Sequence, residues 1–170
     1  HISAQQAILD GEIAALDQRG LPSFERLQSR INVSDASSIA TLSRNLPVVL
    51  YLFDVLYLDG YDLRGVPLLE PQKLLQEILK PGALVRYSED FSGGPALYEA
   101  ARLQGLEGIV GKRAASFYES RRGSDWIKYK ILNTESLVLC GFTAGERDYF
   151  GALVLGIYAH QGSGRKLTWA

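Results

Sequence analysis

Apolar residues recur along the chain in short runs with two different periods, and these runs predict the elements. Ala7–Leu16 reads as a strand with a kink at Asp10-Gly11. Ser23–Arg30 and Asp35–Arg44 predict short helices, with Ser23 and either Ser34 or Asp35 as N-caps. Val48–Val55, rich in Val, Leu, Tyr and Phe, is the clearest buried strand, and Asp59-Gly60 is a turn signal. Pro71 suits the first turn of a helix that runs to about Leu79 and that Pro81-Gly82 closes. Leu84–Tyr87 predicts a short strand. Pro95–Gln104 predicts an amphipathic helix with Leu97, Ala100, Ala101 and Leu103 inward and Gly105 as its stop. Strands are expected at Gly108–Lys112, Asp125–Ile131, Ser136–Phe142, Phe150–Tyr158 and Lys166–Trp169. Helices and strands mix up to about Asn133, and only strands and Gly-containing turns follow. The expected organisation is an α+β domain over 1–133 and the opening hairpins of a small β-barrel over 134–170.

Length and composition narrow the class. The 170 residues make one ordinary domain, or one domain with part of a second. Cys140 is the only cysteine, which excludes an intrachain disulfide and a Cys-rich zinc site; it is expected as a buried small hydrophobe. Eighteen basic residues face nineteen acidic ones, so a uniformly basic nucleic-acid coat is ruled out. A local patch is not: Gly111–Lys130 holds six basic and two acidic residues, a balance of +4, interleaved with four aromatics. Val48–Phe53 is the longest apolar run, far too short to cross a bilayer. There is no signal-peptide pattern and no Met, so the chain reads as part of a longer protein.

Four segments carry candidate chemistry. On a strand, Trp126, Lys128 and Lys130 share one face. Two ammonium groups there suit a bound anion such as phosphate, or equally a solvated strand edge guarded by lysines. Glu107 heads the Gly108–Lys112 strand, and Gly108 admits close approach of another group. Its carboxylate suits a hard metal ion bridging to phosphate, or a structural salt bridge with an arginine. Alternation turns Lys112 away from Glu107. Phe53 suits core packing or stacking on an adenine ring, and Asp54, an ionisable group in an apolar strand, requires a partner. Glu12 suits hydrogen bonds from ribose hydroxyls or from backbone amides.

The order and spacing of these segments resemble the ATP-dependent DNA ligases of the covalent nucleotidyltransferase superfamily. The likeness is nearest to the ligase domains of the bacterial end-joining, ligase D type. Ile8-Leu-Asp-Gly-Glu12 resembles the family's LDGE segment, and Phe53-Asp-Val-Leu-Tyr-Leu-Asp-Gly60 resembles motif III. Glu107-Gly-Ile-Val-Gly-Lys-Arg113 is similar to motif IV and Trp126-Ile-Lys-Tyr-Lys130 to motif V. Gly151–Gly156 is similar to the first hairpin of the ligase OB domain.

The resemblance implies an adenylation domain (nucleotidyltransferase, ATP-grasp-like) of mixed, mostly antiparallel sheets with helices, followed by the start of an OB-fold barrel. It implies Glu12 on the ribose, Phe53 on adenine, Arg30 near the nucleotide or the nick, and Lys128 and Lys130 on the α-phosphate. Glu107 would organise Mg²⁺ or Mn²⁺ and the reacting phosphate. Lys112, Arg113, Arg121 and Arg122 are the DNA-contact candidates, the last two equally suited to a solvated loop. ATP is the implied cofactor, with AMP as the covalent intermediate. The implied partners are nicked or broken double-stranded DNA, end-joining proteins and fused polymerase or nuclease domains, with no membrane. The implied setting is the bacterial cytoplasm at the nucleoid, and the implied function is strand-break sealing in non-homologous end joining.

The resemblance is incomplete. The family nucleophile is the lysine of a KxDG motif, and neither Asp10-Gly11 nor Asp59-Gly60 has a lysine at that spacing. These residues alone are therefore expected to be inactive. An RNA ligase or capping-type nucleotidyltransferase, and a non-catalytic nucleic-acid-binding remnant, are the competing readings.

Overall fold

The computed structural model describes residues 1–121, 123–132, 136–145, 149–161 and 164–169, the side chains of 160 and 161 apart. Two compact units divide after Ile131.

The first unit is built on β2 (Val48–Leu58), the strand with the longest apolar run. It pairs antiparallel with β1 (Ala7–Ala15) along one edge. The other edge takes β3 (Tyr61–Asp62), antiparallel, and β4 (Val85–Tyr87), parallel. The β2–β3 turn holds Asp59 at φ 44° and Gly60 at φ 102°, the left-handed pair that a two-residue hairpin needs. Asp59 also accepts hydrogen bonds from the amides of Gln5 and Gln6 through one oxygen, which ties down the approach to β1.

Between β1 and β2 lie α1 (Phe24–Gln28) and α2 (Ala36–Asn45), capped by the residues the sequence offers. Ser23 accepts from the Arg26 amide at 3.3 Å and Asp35 from the Ser38 amide at 2.7 Å. Neither helix buries a residue. By contrast α3 (Leu69–Ile78) buries Pro71, Gln72, Leu75 and Ile78. Leu75, Ile78 and Leu79 pack on Leu52 and Val55 of β2 to form the core.

α4 (Gly94–Leu103) packs against β5 (Gly108–Lys112), which pairs antiparallel with β6 (Trp126–Lys130). Gly105 takes φ 72° and stops the helix, as expected. The amphipathic reading of α4 holds for Ala101 and, half-buried, Leu97, but not for Ala100, which is exposed, or for Leu103, which is 73% exposed. Leu103 is the helix's last residue, and the chain turns back at Gln104-Gly105 instead of covering it.

The second unit is an antiparallel meander of β7 (Val138–Ala144), β8 (Phe150–Gln161) and β9 (Gly164–Trp169). These strands form an open three-stranded sheet, not a closed barrel. Cys140 is exposed, not buried as expected: the described residues of its unit form a single sheet layer, and burial needs two.

Candidate functional site

Simple alternation fails in β2 where the chemistry is expected. Gly11 pairs with Leu52 and Asp10 with Asp54, so Phe53 is an extra residue in the ladder. This β-bulge re-aims the side chains around it. Its partner must be glycine: a Cβ on Gly11 would lie 2.5 Å from the Tyr51 carbonyl oxygen. The kink expected at Asp10-Gly11 is this bulge, and it presents Phe53 to the β5–β6 hairpin.

That hairpin supplies the charges. Gly108 faces Lys130, Val110 faces Lys128 and Lys112 faces Trp126. The close approach expected at Gly108 is that of β6 itself, whose Tyr129 carbonyl oxygen would lie 2.3 Å from a Cβ there. Glu107 precedes the first paired residue, so strand alternation does not govern it. Its carboxylate accepts a hydrogen bond from Lys128 Nζ at 2.6 Å. The hydrogen bond and charge of Lys128, with the Lys130 charge beyond, hold the Glu107 carboxyl below its ordinary range. The anion between the lysines is thus in part internal, and Glu107 pairs with a lysine rather than an arginine.

Lys112 shares the face of Trp126, Lys128 and Lys130. Its ammonium lies 4.0 Å from the Phe53 ring centre and 3.9 Å from that of Trp126. The two rings meet edge to face at 6.1 Å, and Tyr118 meets Trp126 the same way at 6.0 Å. Lys112 therefore faces aromatic rings. Burial lowers its pKa, against the charges of Asp54, Asp90 and Asp10.

Asp54 is only 2% exposed. Burial pushes its carboxyl up to about 6, against a hydrogen bond from the Val55 amide and the charge of Lys112. The partner that Asp54 required is therefore a backbone amide, with a cation acting through space. The folded state holds the Asp54 proton more tightly than the unfolded chain does. This term favours folding below about pH 3.8 and is lost as pH rises through about 6. Urea denaturation should show the wild-type protein losing about 2 kcal/mol relative to Asp54→Asn between pH 4 and pH 7. A difference between the two that does not change with pH would refute the assignment.

The remaining candidates scatter. Glu12, on β1, pairs with Tyr51 of β2 and is exposed. Arg30 is engaged with the end of α2, donating to the Leu46 carbonyl at 2.6 Å and the Ser43 hydroxyl at 3.3 Å. Arg113 pairs with Asp125 at 2.7 Å and Arg121 with Glu119 at 3.1 Å, all on the β5–β6 connection. Arg122 lies outside the described residues. Asp90 carries no sequence signal for the site, and Tyr118 only that of an aromatic within the basic stretch. Tyr118 meets Trp126 edge to face, while Asp90 accepts from Tyr87 and Gln72.

No group of three or more His, Cys, Asp or Glu side chains suited to a metal occurs among the described residues. A single carboxylate, Glu107, still fits a hard cation held jointly by protein and substrate phosphates. An aromatic ring beside two lysines on one strand face fits a nucleotide.

These features fit a nucleotidyltransferase-type site, and the comparisons show the family. The model described as "ATP dependent DNA ligase domain" matches residues 1–130, so the chain belongs to the ATP-dependent DNA ligase family. It is 36% identical over 163 residues to the multifunctional non-homologous end joining protein LigD of Pseudomonas aeruginosa, covering 93% of this chain and 18% of that protein. The LigD of Mycolicibacterium smegmatis is 35% identical, covering 95% of this chain and 20% of that protein. A DNA ligase of Pyrobaculum neutrophilum is 36% identical, covering 94% of this chain and 30% of that protein. Among solved structures, a mycobacterial DNA ligase D complexed with ATP and MES superposes with a TM-score of 0.62 at 32% identity, over 95% of this chain and 48% of that one. The ligase domain of M. tuberculosis LigD gives 0.60 at 34% identity, over 95% of this chain and 51% of that one. The chain spans about a fifth of the LigD relatives and about half of these ligase structures.

Proposed function

We propose that the protein carrying this chain is an ATP-dependent DNA ligase that seals strand breaks in non-homologous end joining. The observation that carries the reading is one face of β6. Trp126 on that face meets Phe53, and Lys128, two residues on, meets Glu107. Two residues along a strand is roughly 7 Å, the scale that separates a base from its α-phosphate.

Residues 1–133 are read as adenylation domain and 134–170 as the beginning of an OB-fold domain, a reading supported by the division after Ile131. Phe53 would stack on adenine and Glu12 would accept from the ribose. Lys128 and Lys130 would hold the α-phosphate. A lysine outside these residues would attack that phosphorus as pyrophosphate leaves. The adenylate would pass to a DNA 5′-phosphate, and a 3′-hydroxyl would then displace AMP and close the strand. Each step loads charge onto phosphate oxygens, where fixed cations stabilise it most. The same cations would lower the pKa of the nucleophilic lysine, ordinarily near 10.4, by like-charge repulsion. Mg²⁺ or Mn²⁺ beside Glu107 would supply further charge neutralisation when bound.

Arg113 and Arg121 are read as DNA-backbone contacts. Their carboxylate partners are exposed, and exposed pairs are weak enough to exchange for phosphate. Lys112 and Arg30 are left out of this reading, since their head groups are engaged with aromatic rings and with the end of α2. No helix among the described residues is long and apolar enough to cross a membrane, and the reading places the protein with bacterial DNA in the cytoplasm.

The test is incubation of the full-length protein with ATP and Mg²⁺. A mass gain of one AMP, followed by sealing of nicked DNA, is expected. Glu107→Ala should shift the Mg²⁺ titration to higher concentration. No adduct and no sealing would defeat the reading, and an unchanged titration would remove the metal role.

A further inference from the structure

Lys112 stands apart from the other cations of the hairpin. It is half-buried, and its head group meets two aromatic faces rather than a carboxylate. Among the acidic groups, Asp54 acts on it most strongly, then Asp90 and Asp10. The two rings it touches belong to different sheets: Phe53 to the sheet of β1–β4, Trp126 to the β5–β6 hairpin. Phe53 sits on a bulge, so the regular ladder does not fix its ring. An ammonium between two ring faces is an attractive contact that ties both rings to one point. Asp54, two per cent exposed and adjacent to Phe53 in the chain, is the nearest in effect of the acidic groups whose charge favours the ammonium form of Lys112.

We propose that Lys112 is a positioning residue for the nucleotide base: its ammonium joins Phe53 to Trp126 and fixes the ring on which adenine stacks. The inference rests on the nucleotide reading of Phe53. It assigns Lys112 to the base, not to the phosphates and not to DNA.

The experiment compares an ATP analogue that cannot be hydrolysed with tripolyphosphate, which carries the phosphate charges without a base. Both are titrated into the full-length protein and into Lys112→Met and Lys112→Arg. Lys112→Met should weaken the nucleotide about tenfold while tripolyphosphate affinity moves by less than about twofold. Lys112→Arg, which keeps a cation over the rings, should recover most of the nucleotide affinity. A merely structural role would weaken both ligands together. Equal loss for both, unchanged nucleotide affinity, or tighter nucleotide binding, as would follow if the ammonium obstructed the stacking face, would each overturn the inference. If the wild-type protein binds tripolyphosphate but not the nucleotide, the adenine reading of Phe53 falls first, and the role of Lys112 with it.

Discussion

Replacing Lys130 with alanine in the full-length protein is expected to slow formation of the lysyl-adenylate by 10²-fold or more. Lys130 is exposed, and it sits opposite Gly108 on the hairpin. Its backbone carbonyl, which accepts from the Tyr98 hydroxyl at 3.3 Å, is unaffected by side-chain truncation. The variant should therefore fold normally, and its defect should lie in the chemical step. Removing one fixed donor or cation from a site where charge develops typically costs about 10²–10³ in rate. Lys128→Ala is a less clean probe, because it also strips Glu107 of its partner at 2.6 Å. Intact mass spectrometry against time after addition of ATP and Mg²⁺ reads the effect directly. Adenylylation at the wild-type rate would remove Lys130 from the phosphate site.

Gly108→Ala should be the most damaging single-methyl change in the hairpin. The new Cβ would lie 2.3 Å from the Tyr129 carbonyl oxygen and 3.0 Å from the Lys130 Cα. Both obstacles are backbone, so no rotamer change relieves them and the ladder must part. A loss of about 3 kcal/mol is expected, which for a chain of this size lowers Tm by roughly 10 °C. Adenylylation should fail as well, because Glu107 and Lys128 meet only while that ladder is closed. Gly111→Ala, three residues along the same strand, is the control. Its Cβ would meet the Tyr129 ring edge at 3.0 Å, and that half-exposed ring can swing away. Its cost should stay below about 1 kcal/mol. Thermal unfolding of the two variants side by side decides the point: equal costs would mean that close backbone approach is not what requires Gly108.

Much of this molecule is local, and local features are legible in a sequence. The caps at Ser23 and Asp35, the Asp59-Gly60 turn, the stop at Gly105 and the apolar run of β2 each depend on residues a few positions apart. So does the sharing of one strand face by Trp126, Lys128 and Lys130. The order and spacing of the four segments also carry the family resemblance. Contacts across the fold were not legible. Glu107 meets Lys128 because it lies just outside the paired strand, where alternation no longer holds. Phe53 and Lys112 meet because of a bulge and an antiparallel register, neither of which leaves a periodic trace. Arg30 has the residue type for a phosphate ligand, but in the fold the nearest acceptors are at the end of α2. Leu103 and Cys140 have the residue type for burial, yet both are exposed where their elements end or lie in a single sheet layer. Sequence by itself determined the elements and which residue types could do the chemistry. Only the tertiary structure decided which of those groups share a site, because register, bulges and the packing of layers depend on residues far apart in the chain.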